Sequence, residues 1–177
     1  MLQLAGAPAL SAFRLDKLLR ALRGLNPEIT GVDAHFVHFI ATRRELAPGE
    51  RKLLDRLLTY GPRLPDEPVR GELILAIPRP GTISPWSSKA TDIARVCGLD
   101  GIERMERGIA YRIATPRPLV ARDLQRIAPP LFDRMTEIAI FDAGAAGRLF
   151  EHHKPRPLAT VALGGSADAA LERANRE

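Results

Sequence analysis

Two periodicities of apolar residues alternate along this chain, and this alternation constrains its fold more than any other feature of the sequence. Segments with apolar residues at every second position predict strands, and segments with apolar residues three or four positions apart predict helices. Strands are predicted at residues 1–6, 31–42, 71–81, 102–115 and within 133–142. Helices are predicted between them at residues 12–25, 47–61, 87–98, 120–128 and 143–153. Ser11 is the expected cap of the first helix, and a Pro80–Gly81 turn and a Gly98 stop are expected before and after the third. The strand at 31–42 is expected to be buried on much of both faces.

This order predicts an α+β fold of two halves, at about residues 1–78 and 84–152, with mostly antiparallel strands backed by helices. Residues 1–153 are expected to form one N-terminal domain. The tail, residues 154–177, begins with a proline-containing linker and a brief apolar strand, and Ser166 then caps a helix. Because that helix is expected to be still running at Glu177, we expect the chain to be the first part of a longer protein.

The charge balance allows nucleic-acid binding but does not favour it. The chain has 26 Lys and Arg against 21 Asp and Glu, a net charge of +5 and a pI of about 10.0. Basic and acidic residues are interleaved, and no run of five or more like charges occurs. A mixed, solvated surface is therefore the favoured interpretation, and a small basic RNA-binding module is the alternative.

The sequence also bears on the cellular compartment. No run of 18 apolar residues occurs, and the N-terminus lacks the basic region of a signal peptide, so no membrane partner is expected. The single cysteine, Cys97, cannot form an internal disulfide, which fits a reducing cytosol. These features predict a cytoplasmic protein.

The most unusual stretch is PRPGTISPWSSKATDIARVCGL, residues 78–99, where the only tryptophan of the chain, Trp86, lies in a loop before a helix. Ser84 and Pro85 form a cap and first-position pair for that helix. A large ring on a rigid loop is typical of an interface anchor, but it is equally typical of the edge of a core. The sequence Ser87–Lys89 at a helix start also allows a weak phosphate site.

Other candidate chemistry is sparse. His35 and His38 are three apart on a strand, so their side chains face opposite sides, and core or edge positions are expected. Cys97 is predicted on the apolar face of its helix, where a thiol is inert. The sequence EHH at residues 151–153 suits a helix C-terminus and lacks the further ligands of a metal site. No Walker A loop, nucleophile elbow or GxGxxG pattern is present, so no catalytic or metal-binding residue is predicted.

Seven sequence blocks, in order, resemble one protein family. The blocks are PALSAFRLDKLL, AHFVHFI, DRLLTYGP, PRPGTISPWSSKATDIARVCGL, IERMERGIAY, DRMTE and LFEHHKPRPL. Together they resemble the N-terminal region of the large single-chain phosphoribosylformylglycinamidine synthases, which are the formylglycinamide ribonucleotide amidotransferases of purine biosynthesis. The resemblance implies a domain similar to the small S subunit of multi-subunit forms. It also implies that residues 154–177 begin a linker domain.

The resemblance implies a non-catalytic part in an enzyme that uses ATP, Mg²⁺ and glutamine. The nucleotide ligands, the Mg²⁺ ligands and the glutaminase nucleophile of that family match nothing here, so no cofactor is expected in this chain itself. The implied partners are the synthetase and glutaminase domains of the same enzyme, and an isolated chain would expose its docking surface to weak self-association. The resemblance favours the interface interpretation of the Trp86 stretch. The predicted interface residues are Thr82, Ser84, Pro85, Trp86, Ser87, Ser88 and Lys89.

Overall fold

The computed structural model describes residues 1–61, 70–151, 158, 160–161 and 166–176. The strands are β1 (Leu2–Pro8), β2 (Gly31–Thr42), β3 (Glu72–Pro78), β4 (Ile102–Ala114) and β5 (Glu137–Ile140). The α-helices are α1 (Ala12–Leu25), α2 (Pro48–Leu58), α3 (Pro85–Val96), α4 (Ala121–Ile127) and α5 (Ala167–Ala174). Two 3₁₀ segments lie at Pro129–Leu131 and Ala143–Phe150.

The five strands form one antiparallel sheet in the order β1-β2-β4-β3-β5, which confirms the predicted α+β class. Strands of the two predicted halves are interleaved, because β4 lies between β2 and β3. Strand β4 is therefore the centre of the sheet and pairs with β2 along nearly its whole length. The domain boundary predicted near residue 153 stays a prediction.

One face of the sheet carries all four helices that precede the tail, in two groups. Near one end, Ala34, Ile74 and Tyr111 pack beneath α1 and α4 with Leu22 and Ile127. Near the other end, a second cluster joins the sheet to α2 and α3; its members include Ile40, Met105, Leu54, Leu58 and Ala94. Because side chains alternate along a strand, every second residue between these two ends of β2 and β4 faces the gap between the helix groups.

The opposite face of the sheet is covered by the second 3₁₀ segment. Val37, Phe39, Leu75 and Ile77 pack there against Ala146 and Leu149. Strand β2 is thus buried on much of both faces, as its sequence predicts. The two strands β2 and β4 are therefore packed on both faces. The part of the helix-bearing face between the two helix groups stays open.

The connection from β3 to α3 follows the predicted turn and cap chemistry. Pro80 and Gly81 are the central residues of a turn closed by a 3.1 Å bond from the Thr82 N–H to the Arg79 carbonyl, and Gly81 has φ +81°. Ser84 then caps α3, because its Oγ accepts the Ser87 N–H at 3.0 Å, and Pro85 takes the first helical position.

The C-terminal end of α3 is also as predicted. Gly98 has φ +84°. The N–H groups of Gly98 and Leu99 donate to the carbonyls of Arg95 and Ala94, which is a Schellman motif. The glycine stop read from the sequence is therefore confirmed.

Three sequence expectations are corrected. Trp86 lies in the first turn of α3 and not in a loop, because the helix already begins at Pro85. Cys97 is exposed and not on the buried face, since it is the capping residue at the end of the helix. Helix α5 does not run to Glu177; it ends at Ala174, with the Asn175 N–H bonded to the Leu171 carbonyl.

Some expectations fall outside the described residues. The brief tail strand and His152 and His153 belong to segments that the structure does not describe. Within the segments that it does describe, no helix combines the length and the apolar character needed to cross a membrane.

Candidate docking site

An open cleft lies on the helix-bearing face of the sheet, beside the N-terminus of α3. Its volume is about 450 Å³. The floor is formed by β2 and β4, one wall by the β3–α3 connection and the first turn of α3, and the far end by residues before and within β5. The lining residues are Phe36, Pro78, Arg79, Thr82, Ile83, Ser84, Pro85, Trp86, Arg107, Gly108, Ile109, Met135, Thr136 and Glu137. We call this feature the interhelix cleft.

Arg107 lies on the floor of the interhelix cleft between two aromatic rings. Its guanidinium carbon is 4.2 Å from the ring centre of Phe36 and 5.0 Å from that of Trp86. Both rings present π-electron density to the cation, which stabilises its position. Its Nη1 donates to the Tyr60 hydroxyl at 3.3 Å. The predicted anchor, Trp86, is therefore part of a cation–aromatic group that also borders the core.

A chain of hydrogen bonds leads from Arg107 to a buried histidine. The Tyr60 hydroxyl is 2.6 Å from Nε2 of His38, which is fully buried and pairs with Arg107 across the two strands. Because an arginine only donates, the Tyr60 oxygen accepts from Arg107 and is left to donate to His38. In this arrangement Nε2 of His38 accepts the Tyr60 O–H and the ring is neutral.

The electrostatics of His38 agree with this hydrogen-bond order. Burial, and then the positive charge of Arg107, together lower the pKa of His38 to about 4. The sequence expectation of a core histidine is confirmed, since His38 packs between Tyr60 and Trp86 with each ring centre 5.6 Å away. His35 lies on the opposite face, half-buried near Asp33.

A buried carboxylate anchors the wall of the cleft. Glu106 on β4 is fully buried, and its Oε2 accepts the Ser84 hydroxyl at 2.6 Å. Its Oε1 accepts from Arg104 Nη2 at 2.5 Å and Nε at 3.2 Å, and from the Ser84 N–H at 3.3 Å. Arg104 also donates to the Thr82 carbonyl. This network ties the β3–α3 connection to the central strand.

The predicted interface residues divide into three groups in the structure. Thr82, Ser84, Pro85 and Trp86 line the interhelix cleft. Lys89 is exposed and, with Trp86, lines a smaller cavity of about 210 Å³ between α2 and α3. Ser88 is exposed outside the cleft.

Ser87 is the exception among these residues. It is fully buried, and its Oγ meets no hydrogen-bond partner among the described residues. A ligand at the surface cannot reach that hydroxyl. The burial of Ser87 does not support the phosphate site considered for Ser87–Lys89.

Several residues of the cleft were not singled out from the sequence. Arg107 of the lining, and Glu106, which holds the wall, lie in a strand whose alternation predicts faces but not partners. Met135 and Glu137 come from a distant segment. Their convergence depends on the pairing of β4 with β2 and of β5 with β3.

The chemistry available in the cleft is recognition. It combines an apolar rim with one arginine on the floor, and both Ile83 (63% exposed) and Met135 (82% exposed) present large apolar side chains to solvent. Residues 1–61, 70–151 and the described parts of the tail contain no group of three or more metal-ligating side chains placed to hold an ion.

Gly108, on the floor of the cleft, is a position where even a small side chain is expected to lower the stability of the chain. A Cβ on Gly108 would lie 2.6 Å from the Ala76 carbonyl oxygen and 3.0 Å from Ile77 Cγ2, so Gly108→Ala would push β3 away from β4. We expect it to lower the free energy of unfolding by about 1–3 kcal/mol, measured by urea denaturation. The control is Gly31→Ala, where the nearest atom to an added Cβ is 3.6 Å away. Equal stability of the two variants would contradict this prediction.

Comparison with known families agrees with the sequence blocks. A family model described as formylglycinamide ribonucleotide amidotransferase N-terminal matches residues 35–150. That range includes β3, β4 and β5, most of β2, and the whole interhelix cleft. The chain therefore belongs to the N-terminal domain family of formylglycinamide ribonucleotide amidotransferase, an enzyme of purine biosynthesis.

Proposed function

We propose that this chain is the organising and docking domain of a formylglycinamide ribonucleotide amidotransferase, and that the interhelix cleft is part of its docking surface. The observation that carries the proposal is the apolar rim of the cleft, where Ile83 and Met135 are exposed around the half-buried Trp86. Exposed apolar side chains around an aromatic anchor are typical of protein interfaces. Family membership supports other domains of the same enzyme as the partners.

In this proposal the partners are the synthetase and glutaminase domains, and the chain itself is non-catalytic. The enzyme is an ATP-dependent ligase that converts formylglycinamide ribonucleotide, ATP and glutamine into formylglycinamidine ribonucleotide, ADP, phosphate and glutamate. ATP and Mg²⁺ belong to the other domains. The tail from residue 154 begins the linker to them. The free, exposed thiol of Cys97 suits a reducing compartment and supports a cytoplasmic location.

The role of the chain in this proposal is to couple the release of ammonia by the glutaminase domain to its use by the synthetase domain. Trp86→Ala in the complete amidotransferase removes the aromatic anchor, so we expect less product formed for each glutamine hydrolysed. Because Trp86 also packs on His38 and Arg107, Ile83→Ser provides a second variant whose side chain lies at the exposed rim. The measurement compares glutamate release with product formation, and with turnover on added ammonia.

The matched control for these variants is Phe13→Ala, an aromatic residue of α1 that is 74% exposed and lies outside the cleft. It is expected to leave the ratio of product to glutamine hydrolysed unchanged. If Trp86→Ala and Ile83→Ser both keep the wild-type ratio, the interhelix cleft is not a docking surface.

A further inference from the structure

Arg107 differs from Arg104, another half-buried arginine of its strand, in having no acidic partner among the described residues. Arg104, three residues earlier, is paired with the buried Glu106. Throughout the described segments, no carboxylate forms an ion pair with Arg107; its polar contact is the neutral Tyr60 hydroxyl. Glu137, at the far end of the cleft, accepts the Asp133 N–H at 2.9 Å instead.

The guanidinium of Arg107 has a fixed position and N–H groups that no described residue accepts from. Phe36 and Trp86 fix its position from two sides, and its Nη1 is oriented by Tyr60. An arginine has five N–H donors, and a described residue engages only one of those of Arg107. The remaining donors form the planar fork that binds a carboxylate through two parallel hydrogen bonds.

We propose that an aspartate or glutamate side chain from another domain of the amidotransferase enters the interhelix cleft and pairs with Arg107. The inference rests on the proposed docking function and adds the chemistry of the partner segment, which is acidic with apolar neighbours. Charge complementarity favours the acid, because no carboxylate of the described residues forms an ion pair with the cation on the floor. The exposed Ile83 and Met135 at the rim require the apolar neighbours, since docking would bury both side chains.

A protein segment suits the cleft better than a free anion does. A phosphate site gathers several donors, whereas the lining contains two basic residues, Arg107 and Arg79. Of these, Arg79 already donates through Nη2 to the Arg134 carbonyl at 2.6 Å. The remaining lining is largely apolar, which favours side chains of a partner over a small hydrated ion.

The test uses Arg107→Gln, Arg107→Lys and Arg112→Gln in the complete amidotransferase. Arg112 is the matched control, because it is a half-buried arginine of the same strand whose side chain lies on the other face. The measurements are product formed per glutamine hydrolysed at low and high KCl, and the thermal unfolding midpoint of each variant. Arg107→Gln is expected to lower the ratio roughly tenfold and to reduce its salt dependence, because the attraction between two charges that meet on docking is lost. Arg107→Lys is expected to restore part of both, and Arg112→Gln to leave both unchanged.

The outcomes separate this inference from the proposed function. If Trp86→Ala and Ile83→Ser lower the ratio while Arg107→Gln keeps the wild-type ratio and salt response, the cleft docks a partner without an acidic side chain. If Arg107→Gln and Arg107→Lys are equally impaired with equal salt response, the role of Arg107 is packing, and the inference is also wrong.

A small-anion site is tested with the chain itself. Trp86 is the only tryptophan and lies against Arg107, so its fluorescence reports on the cleft. Inorganic phosphate and succinate are expected to cause no saturable change in wild type. A change that saturates below about 1 mM in wild type and is absent in Arg107→Gln would mean that the cleft binds a free anion. That result would contradict the inference that a partner carboxylate pairs with Arg107.

Discussion

Replacing Glu106 with alanine is expected to lower the free energy of unfolding by about 3–5 kcal/mol. The carboxylate is fully buried and accepts hydrogen bonds from Ser84 and Arg104. Its removal leaves the largely buried cation of Arg104 without a partner and the Ser84 hydroxyl without its acceptor. Chemical denaturation of wild type and variant measures the effect.

Two further variants distinguish the loss of the ion pair in Glu106→Ala from the general effect of shortening a side chain. Glu103→Ala, at an exposed position of β4, is the control and is expected to change the stability by less than about 0.5 kcal/mol. Replacing both partners by apolar residues, Glu106→Leu with Arg104→Met, is expected to recover most of the loss, since no buried charge remains. If Glu106→Ala is as stable as Glu103→Ala, the network does not hold the wall of the cleft.

The stability of the chain is expected to fall as pH falls from about 6.5 to about 4, because of His38. Burial, and then the charge of Arg107, lowers the pKa of His38 to about 4 in the folded chain, whereas the unfolded chain has a pKa near 6.5. Between these values the unfolded state binds a proton that the folded state does not, so acidification favours unfolding. The loss over this window is roughly 3 kcal/mol.

The measurement is the free energy of unfolding at several pH values for wild type and for His38→Gln. The difference between the two curves isolates the histidine from the carboxylates that titrate in the same range. The variant is expected to have the flatter curve, whatever its stability at neutral pH. His35→Gln, on the opposite face of β2, controls for the loss of an imidazole side chain from the same strand. A wild-type slope in His38→Gln would contradict the assignment.

The positions of Glu106 and Arg107 on β4 explain how the cleft is built. Glu106 and Arg107 are neighbours in β4, so their side chains point to opposite faces of the sheet. Glu106 binds the β3–α3 connection and thereby places Ser84 at the start of α3. Arg107 holds Trp86, the second residue of that helix, from the other face. One strand therefore positions both the wall and the floor of the proposed docking surface.

Local features of the chain could be predicted because their causes lie within a few residues. Ser11 and Ser84 were recognised as helix caps, and each accepts the backbone N–H three residues later. The Pro80–Gly81 turn and the Gly98 stop were recognised because each requires a backbone conformation that favours glycine. The errors at Cys97 and Asn175 also concern helix ends, where periodicity no longer distinguishes a buried face from a capping position.

The sequence by itself determined the order of strands and helices, their caps and turns, and the family to which the chain belongs. The tertiary structure decided which strands pair, and it brought together Arg107, His38, Tyr60 and Trp86, which come from four separate elements or connections. The physical reason is the range of the interactions. Caps and turns are closed by neighbouring backbone groups, whereas strand β4 meets β2 and β3 through hydrogen bonds between residues far apart in the chain, and alternation alone does not encode those partners.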